Sequence, residues 1–249
     1  MNINLITLGC SKNLVDSGKL LYQLKLNGHE VIHNSESLTS GLIINTCGFI
    51  LDAKTESIET ILEYSRAKKA GYIEKLVVMG CLSERYKESL KKEIPEVDAF
   101  FGVNETSAIV NFFNGQYYAD QIIRRIGTTP SHYAYLKISE GCNRNCAFCA
   151  IPAIRGKQVS IPVEQLVEEA VFLAGQGVRE LILIAQELTS YGTDIYKRKA
   201  LPELIKELVK INDFQWIRLH YAYPDSYPVD EIVSLMHANP QICRYLDIP

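Results

Sequence analysis

Residues 138–152 read ISEGCNRNCAFCAIP and set Cys142, Cys146 and Cys149 in a C-x3-C-x2-C spacing just after a predicted strand, AYLKIS. Closely spaced thiolates on a loop are soft ligands that suit zinc or an iron–sulfur cluster. A closed tetrahedral site takes four ligands, yet the nearest other cysteine is Cys81. Three thiolates can hold three irons of a four-iron cluster and leave the fourth iron open to a non-protein ligand. Reactive sites keep an open position, and structural sites close it. The competing reading is a zinc knuckle that borrows a distant cysteine or histidine, but zinc sites usually pair their ligands as C-x2-C.

Downstream of the loop the chain alternates helices and strands. VEQLVEEAVFLAGQG is apolar at 163, 166, 167, 170, 171 and 174, a helical stripe. ELILIAQ reads as a buried strand, and LPELIKELVKI repeats the stripe at 201, 204, 205 and 208. WIRLHYAYP is expected to be a strand, DEIVSLMHANP a helix and RYLDIP the start of another strand. Upstream, INLITLGC, HEVIH, GLIINTCG, EKLVVMGC and DAFFGV read as strands. Helices are expected from about Asn13 to a Gly28 cap, over DAKTESIETILEYSRAKKAG, and over SERYKESLKKEIP up to Pro95. Strand–helix alternation implies a parallel α/β sheet. GQYYADQ and GTTPS mark a looser stretch from Gly115 to Ser131, which predicts domains at 1–120 and 131–249. Ending on an apolar run with few barrel units predicts a piece of a longer protein.

Cys10, Cys47 and Cys81 are distant in sequence, yet each closes an apolar run beside a glycine: TLGC, NTCG, VMGC. The carboxyl ends of parallel strands line one edge of the sheet, where ligands bind. Three strands would therefore deliver three thiols to one edge, with glycines that let backbone approach a bulky group. Three ordinary core cysteines are the alternative. Cys243 has no such company and reads as packing.

Hydrophobic residues make up 47% and charged residues 22% of the 249, the profile of a soluble globular chain. A net charge of −3 gives no general electrostatic reason to expect nucleic acid. No apolar run approaches ~18 residues, so no membrane span is expected. MNINLITLGC lacks the basic start of a secretory signal. Seven cysteines, an odd count, fit a reduced cytoplasmic compartment better than a disulfide framework.

Together LGCSKNLVDS, INTCGFI, VMGCLSERY and ISEGCNRNCAFCAIPAIRG resemble the methylthiotransferases, a radical S-adenosylmethionine family with two [4Fe-4S] clusters. The resemblance covers nearly the whole chain. It implies an N-terminal methylthiotransferase domain and an incomplete radical (β/α) barrel, with the family's C-terminal TRAM domain absent. QELTSYGTD, WIRLHYAYP and RYLDIP resemble the branch that modifies an aspartate of ribosomal protein S-12. The branch that modifies a tRNA adenosine more often shows other residues where this chain has Ile151-Pro152-Ala153 and Gln186-Glu187-Leu188.

The resemblance implies a transferase that inserts a methylthio group at the aspartyl β-carbon. The cluster on Cys142, Cys146 and Cys149 would cleave S-adenosylmethionine to a radical, and that on Cys10, Cys47 and Cys81 would deliver sulfur. It also implies the small ribosomal subunit as a partner and an electron donor such as flavodoxin or ferredoxin. Phe148 and Glu187 are candidate cofactor-binding residues. Thr193, Asp194 and Arg155 are weaker candidates, each balanced by an ordinary loop or surface role, His220 is another, balanced by a satisfied half-buried histidine, and Lys197-Arg198-Lys199 reads as a solvated loop. Gly18 and Ile161 stand where relatives commonly carry glutamate and arginine. The alternatives are a tRNA substrate or a two-cluster electron-transfer protein. The latter would be expected to show eight ligands rather than six.

Overall fold

The structure is a computed structural model, which describes residues 1–224 and 227–248. It divides into two compact units, Met1–Thr128 and Thr129–Pro249. In the first unit the elements are β1 (Asn2–Thr7), α1 (Ser11–Leu26), β2 (Glu30–His33), β3 (Gly41–Thr46), α2 (Leu51–Lys69), β4 (Lys75–Gly80), α3 (Cys81–Glu93), β5 (Ala99–Phe100) and α4 (Thr106–Phe112). Five parallel strands lie in the order β2-β1-β3-β4-β5.

Alternation along the central strands divides the core between the two faces of this sheet. Ile43, Val77 and Met79 pack with Leu20, Leu21 and Leu24 of α1 and with Ile109 and Val110 of α4. Their neighbours Leu42, Ile44, Leu76 and Val78 pack with Ile61 of α2 and Leu82 and Leu90 of α3. A parallel sheet covered on both faces needs apolar residues at successive positions, which is why GLIINT is buried throughout. The strand order reverses between β1 and β3, and in open α/β sheets ligands bind at the carboxyl ends of the strands beside such a switch point. Residues 121–128 close the unit. The Ile126 N–H donates to the Gly18 carbonyl at 3.0 Å, and a Cβ on Gly18 would stand 2.6 Å from the Ile126 carbonyl oxygen. The missing side chain at Gly18 is thus the space through which this segment crosses α1.

The second unit contains β6 (Tyr133–Lys137), β7 (Ser139–Glu140), α5 (Ile151–Arg155), β8 (Val159–Ser160), α6 (Val163–Gly175), β9 (Glu180–Ile184), α7 (Leu201–Leu208), β10 (Trp216–Leu219) and α8 (Val229–Ala238). β10, β9 and β6 form a parallel sheet in that order, with helices packed on one continuous core. β7 and β8 pair antiparallel, Ser139 with Ser160 and Glu140 with Val159. They close the neck of the cysteine loop.

Two strand expectations need correction. WIRLHYAYP is strand only over Trp216–Leu219, because Tyr221 turns the chain at φ +67. RYLDIP forms no ladder over its described residues, 244–248. Pairing to β10 is a single bridge at Ile242, and Asp247 instead accepts the Tyr221 N–H on its carboxylate and the Ala222 N–H on its carbonyl. Among the described residues no helix is long and apolar enough to cross a membrane.

Candidate metal centres

Cys10 follows β1, Cys47 follows β3 and Cys81 follows β4, so the three thiols stand at the carboxyl ends of three adjacent strands, straddling the switch point. None is in a disulfide, and Cys47 and Cys81 are buried. The glycines beside them are where the loops touch. A Cβ on Gly9, at φ +87, would lie 2.5 Å from Cys47 Cβ and 3.1 Å from its sulfur. A Cβ on Gly48 would meet the Leu82 backbone at 2.7 Å and the Cys81 carbonyl carbon at 2.8 Å. The first cysteine loop therefore rests on the second, and the second on the third. Cys10 and Cys81 open α1 and α3, and the positive end of a helix dipole favours a negatively charged ligand set. The Cys47 backbone is pinned at both ends by Ser57 of α2, whose hydroxyl accepts its N–H and donates to its carbonyl, each at 3.1 Å. Arg85 of α3 donates to the Gly48 carbonyl at 2.9 Å.

The second set lies on the loop between β7 and α5. The Cys142 N–H donates to the Gly156 carbonyl, and the Cys149 N–H to the Cys146 carbonyl, each at 3.1 Å. The Cys142 sulfur accepts the Arg144 N–H at 3.4 Å. Burial pushes the Cys142 thiol up, and the nearby Glu187 carboxylate and Cys149 push the same way. Cys146 is exposed and Phe148 fully so, at the tip of the loop.

Two anchors hold this loop, and sequence reasoning named one member of each, Arg155 and Glu187, in other roles. The first is Glu140, whose carboxylate takes Lys137 Nζ at 2.7 Å and Arg155 Nη1 at 3.0 Å, and also accepts from the Gln186 side chain. Burial opposes its ionisation, yet Lys137 and Arg155 prevail and hold the carboxyl well below the usual range. Arg155 is thus a buried ion-pair partner rather than a surface arginine. The second is Arg144, which lies 3.6 Å over the Tyr223 ring with its Nε 3.5 Å from Glu187. Glu187 is buried, and its carboxylate accepts the N–H groups of Thr189 and Ser190. The charge order Glu140-x3-Arg144 across a cysteine was visible, but the partners come from β6, α5 and the loops after β9 and β10.

Of the weaker candidates, Asp194 accepts the Ser160 N–H at 2.7 Å and Thr193 donates to the Ser190 carbonyl, so both brace β8 and its neighbouring loop. His220 is half-buried, edge-on to Tyr221 and Tyr245. Lys197 and Arg198 are exposed. Cys243 is half-buried and Ile161 packs on the core, as packing residues do.

No three Cys, His, Asp or Glu side chains among the described residues converge to hold one metal ion. A four-iron cluster asks for something different, because each thiolate takes its own iron and the ligands ring a volume. Three thiols outside any disulfide, around glycine-lined contacts, are a donor set and a cradle that fit such a cluster at the first site. Three thiols on an anchored loop fit it at the second.

Fold and cysteine pattern define an α/β chain with a flavodoxin-like first unit and a radical-type cysteine loop on the second. Residues 2–102 match uncharacterized protein family UPF0004, and residues 136–249 match the Radical SAM superfamily. Among curated proteins the chain is similar to ribosomal protein uS12 methylthiotransferases. It is 54% identical over 247 residues to the ribosomal protein uS12 methylthiotransferase RimO of Flavobacterium psychrophilum, and 51% over 247 residues to that of Bacteroides fragilis. These alignments cover 99% of the chain but 56% and 57% of the relatives, so the chain spans just over half their length. Among solved structures, the radical S-adenosylmethionine methyltransferase TsrM of Kitasatospora setae superposes with a TM-score of 0.60 at 15% identity, over 95% of this chain and 57% of that one. The cobalamin-dependent radical enzyme OxsB gives 0.57 at 12%, over 90% and 39%. At these identities the likeness is one of fold.

Proposed function

We propose that the chain is the cluster-bearing part of a methylthiotransferase that adds a methylthio group to the β-carbon of an aspartate in ribosomal protein uS12. In this reading Cys142, Cys146 and Cys149 hold one [4Fe-4S] cluster and Cys10, Cys47 and Cys81 another. One observation carries it: two separate sets of three thiols, each one ligand short of closure, in a chain about half identical to RimO proteins along its length. When bound, the clusters and S-adenosylmethionine supply the radical, the methyl group and the sulfur that no side chain can.

The chain's own residues do the holding. Glu140 and Arg155 fix the base of the second loop, and Arg144 ties its middle to Glu187 and Tyr223. The exposed tip carries Cys146 and Phe148 to where cofactor and substrate arrive. In the first unit, close-packed glycines keep side chains clear of the strand ends, as a group that must meet a reactive carbon requires. The reading places the protein in the cytoplasm with a small electron-donor protein such as a flavodoxin or ferredoxin.

Anaerobic reconstitution tests it. About eight irons per chain are expected, with the electron paramagnetic resonance of the reduced second cluster altered by S-adenosylmethionine. An S12-derived peptide should gain one methylthio substituent on aspartate. About four irons would remove the first cluster from the reading. A methylthio group on tRNA adenosine instead would overturn the substrate.

A further inference from the structure

Every residue of β3 is buried, and its centre is Leu42, Ile43 and Ile44, but Asn45 sits two positions before Cys47 with a side chain as buried as its neighbours'. On α1, Asn13 is equally buried, three positions after Cys10. Asparagine is a poor strand former, weak inside helices and costly to bury. Two in the core of one unit, each beside a cysteine, call for an explanation that stability alone does not give.

Their hydrogen bonds provide it. The Asn13 Nδ2 group donates to the Leu8 carbonyl at 2.9 Å and to the Thr46 carbonyl at 3.2 Å, so one amide joins the end of β1 to the end of β3. The Asn45 Nδ2 group donates to the Asn13 carbonyl at 3.1 Å and to Ser17 Oγ at 3.0 Å, joining β3 to α1 in return. Both bridges cross the switch point, and between them they fasten the residues next to Cys10 and Cys47. Asn13 Nδ2 also lies 3.5 Å, and the Cys47 sulfur 3.1 Å, from the place a Gly9 Cβ would take. Ser17 is itself held by the Thr7 hydroxyl at 2.7 Å, and Thr7 by His33 Nε2 at 2.8 Å, so the clamp is anchored as far as β2. Asn45 Oδ1 is buried with no hydrogen-bond partner among the described residues, at 2.5 Å from a Gly80 Cβ position, directly before Cys81.

We propose that Asn13 and Asn45 are positioning residues of the first cysteine set, a reciprocal pair of buried amides that holds Cys10 and Cys47 in register before any cluster arrives. The inference rests on the reading of those cysteines as one ligand set. It adds that the register is enforced by side-chain amides, and that sheet packing alone does not fix it. Outer-shell partners of this kind commonly change metal affinity when removed.

The test uses the whole chain and two readouts. In anaerobic apoprotein, a short bifunctional thiol reagent should join Cys10 to Cys47, as located by mass spectrometry. Asn13→Asp, which keeps the shape and removes both donated bonds, and Asn45→Ala should slow that joining about tenfold or more while each thiol's reaction with a monofunctional reagent changes little. After reconstitution, both variants should lose iron from the first site about 10- to 100-fold faster on chelation and show an altered first-cluster resonance. The second cluster's response to S-adenosylmethionine should be unchanged. Ser17→Ala, which removes one acceptor only, should act in the same direction more weakly and covers the case in which an asparagine variant fails to fold. Parent-like joining and iron retention in all three variants would overturn the proposal. A parent chain that joins Cys10 to Cys47 yet holds about four irons would break the cluster reading and leave the positioning role standing.

Discussion

The two cysteine sets reach similar donor chemistry by opposite routes. The set at 142, 146 and 149 is local, on one loop whose ends are zipped by β7 and β8 and whose anchors are ionic. The set at 10, 47 and 81 is dispersed, and it exists only because three strands lie side by side in a flavodoxin-like order. Its fastenings are mostly neutral, through Ser57, backbone contacts at glycine and side-chain amides, with the cation Arg85 on the Gly48 carbonyl beside them. A local loop has little packing of its own, so buried charges must hold its shape. A dispersed site inherits its shape from the sheet and needs only close contacts at the strand ends. Faults in the first site should therefore act through sterics and topology, and faults in the second through electrostatics.

The largest expected effect tests the ionic side. Glu140→Ala leaves Lys137 and the buried Arg155 without their shared carboxylate, and removing one partner of a buried pair costs about 3–5 kcal/mol. Denaturant unfolding should show that loss in the second unit's transition only. A comparable fall in the first unit would break the division between the two sites.

Next comes the steric side. Gly9→Ala puts a Cβ against Cys47 at a backbone φ of +87, and strain with overlap should cost about 2–4 kcal/mol. Gly141→Ala is its counterpart, since at φ +72 a Cβ there meets the Lys157 carbonyl that packs under the loop. Reconstituted iron should fall at the first site in one variant and at the second in the other. If either variant empties both sites, the two are not independent.

The same contrast explains what could be read from the sequence. The loop spacing was legible because its ligands are neighbours, and the alternating apolar runs gave the parallel α/β units because both faces of a covered sheet demand them. The strand-end position of Cys10, Cys47 and Cys81 was legible as well, through the repeated glycine. The partners that hold those cysteines were not, because Asn13 meets Thr46 and Glu140 meets Gln186 only after folding. Arg155 lay open between surface and site until its carboxylate was placed. RYLDIP looked like a strand by composition, but Asp247 ties it to the backbone of residues 221 and 222 and no ladder forms over its described residues.

A smaller effect sharpens the comparison within the loop itself. Arg144→Ala removes a guanidinium stacked on the half-buried Tyr223 and paired with the buried Glu187, contacts worth about 1–2 kcal/mol together. Hydrogen exchange over 141–149 should speed up while that of β6 and β9 stays put. Equal acceleration in the sheet would mean that Arg144 supports the core rather than the loop.

Phe148 should have the smallest effect on stability. It is fully exposed between two cysteines, so Phe148→Ala removes no packed contact and should shift unfolding by no more than about 0.5 kcal/mol. Retaining a large bare aromatic at the tip of a ligand loop makes physical sense if something covers it later. Covering a phenylalanine side chain is worth about 1.5–3 kcal/mol, or roughly 10- to 100-fold in affinity. The variant should therefore keep the parent's melting curve and iron content, yet need that much more S-adenosylmethionine to alter the second cluster's resonance. An unchanged titration would show that the cofactor does not cover Phe148. A lowered melting curve would show that the tip is packed already, and that the second site is fixed before its ligand arrives.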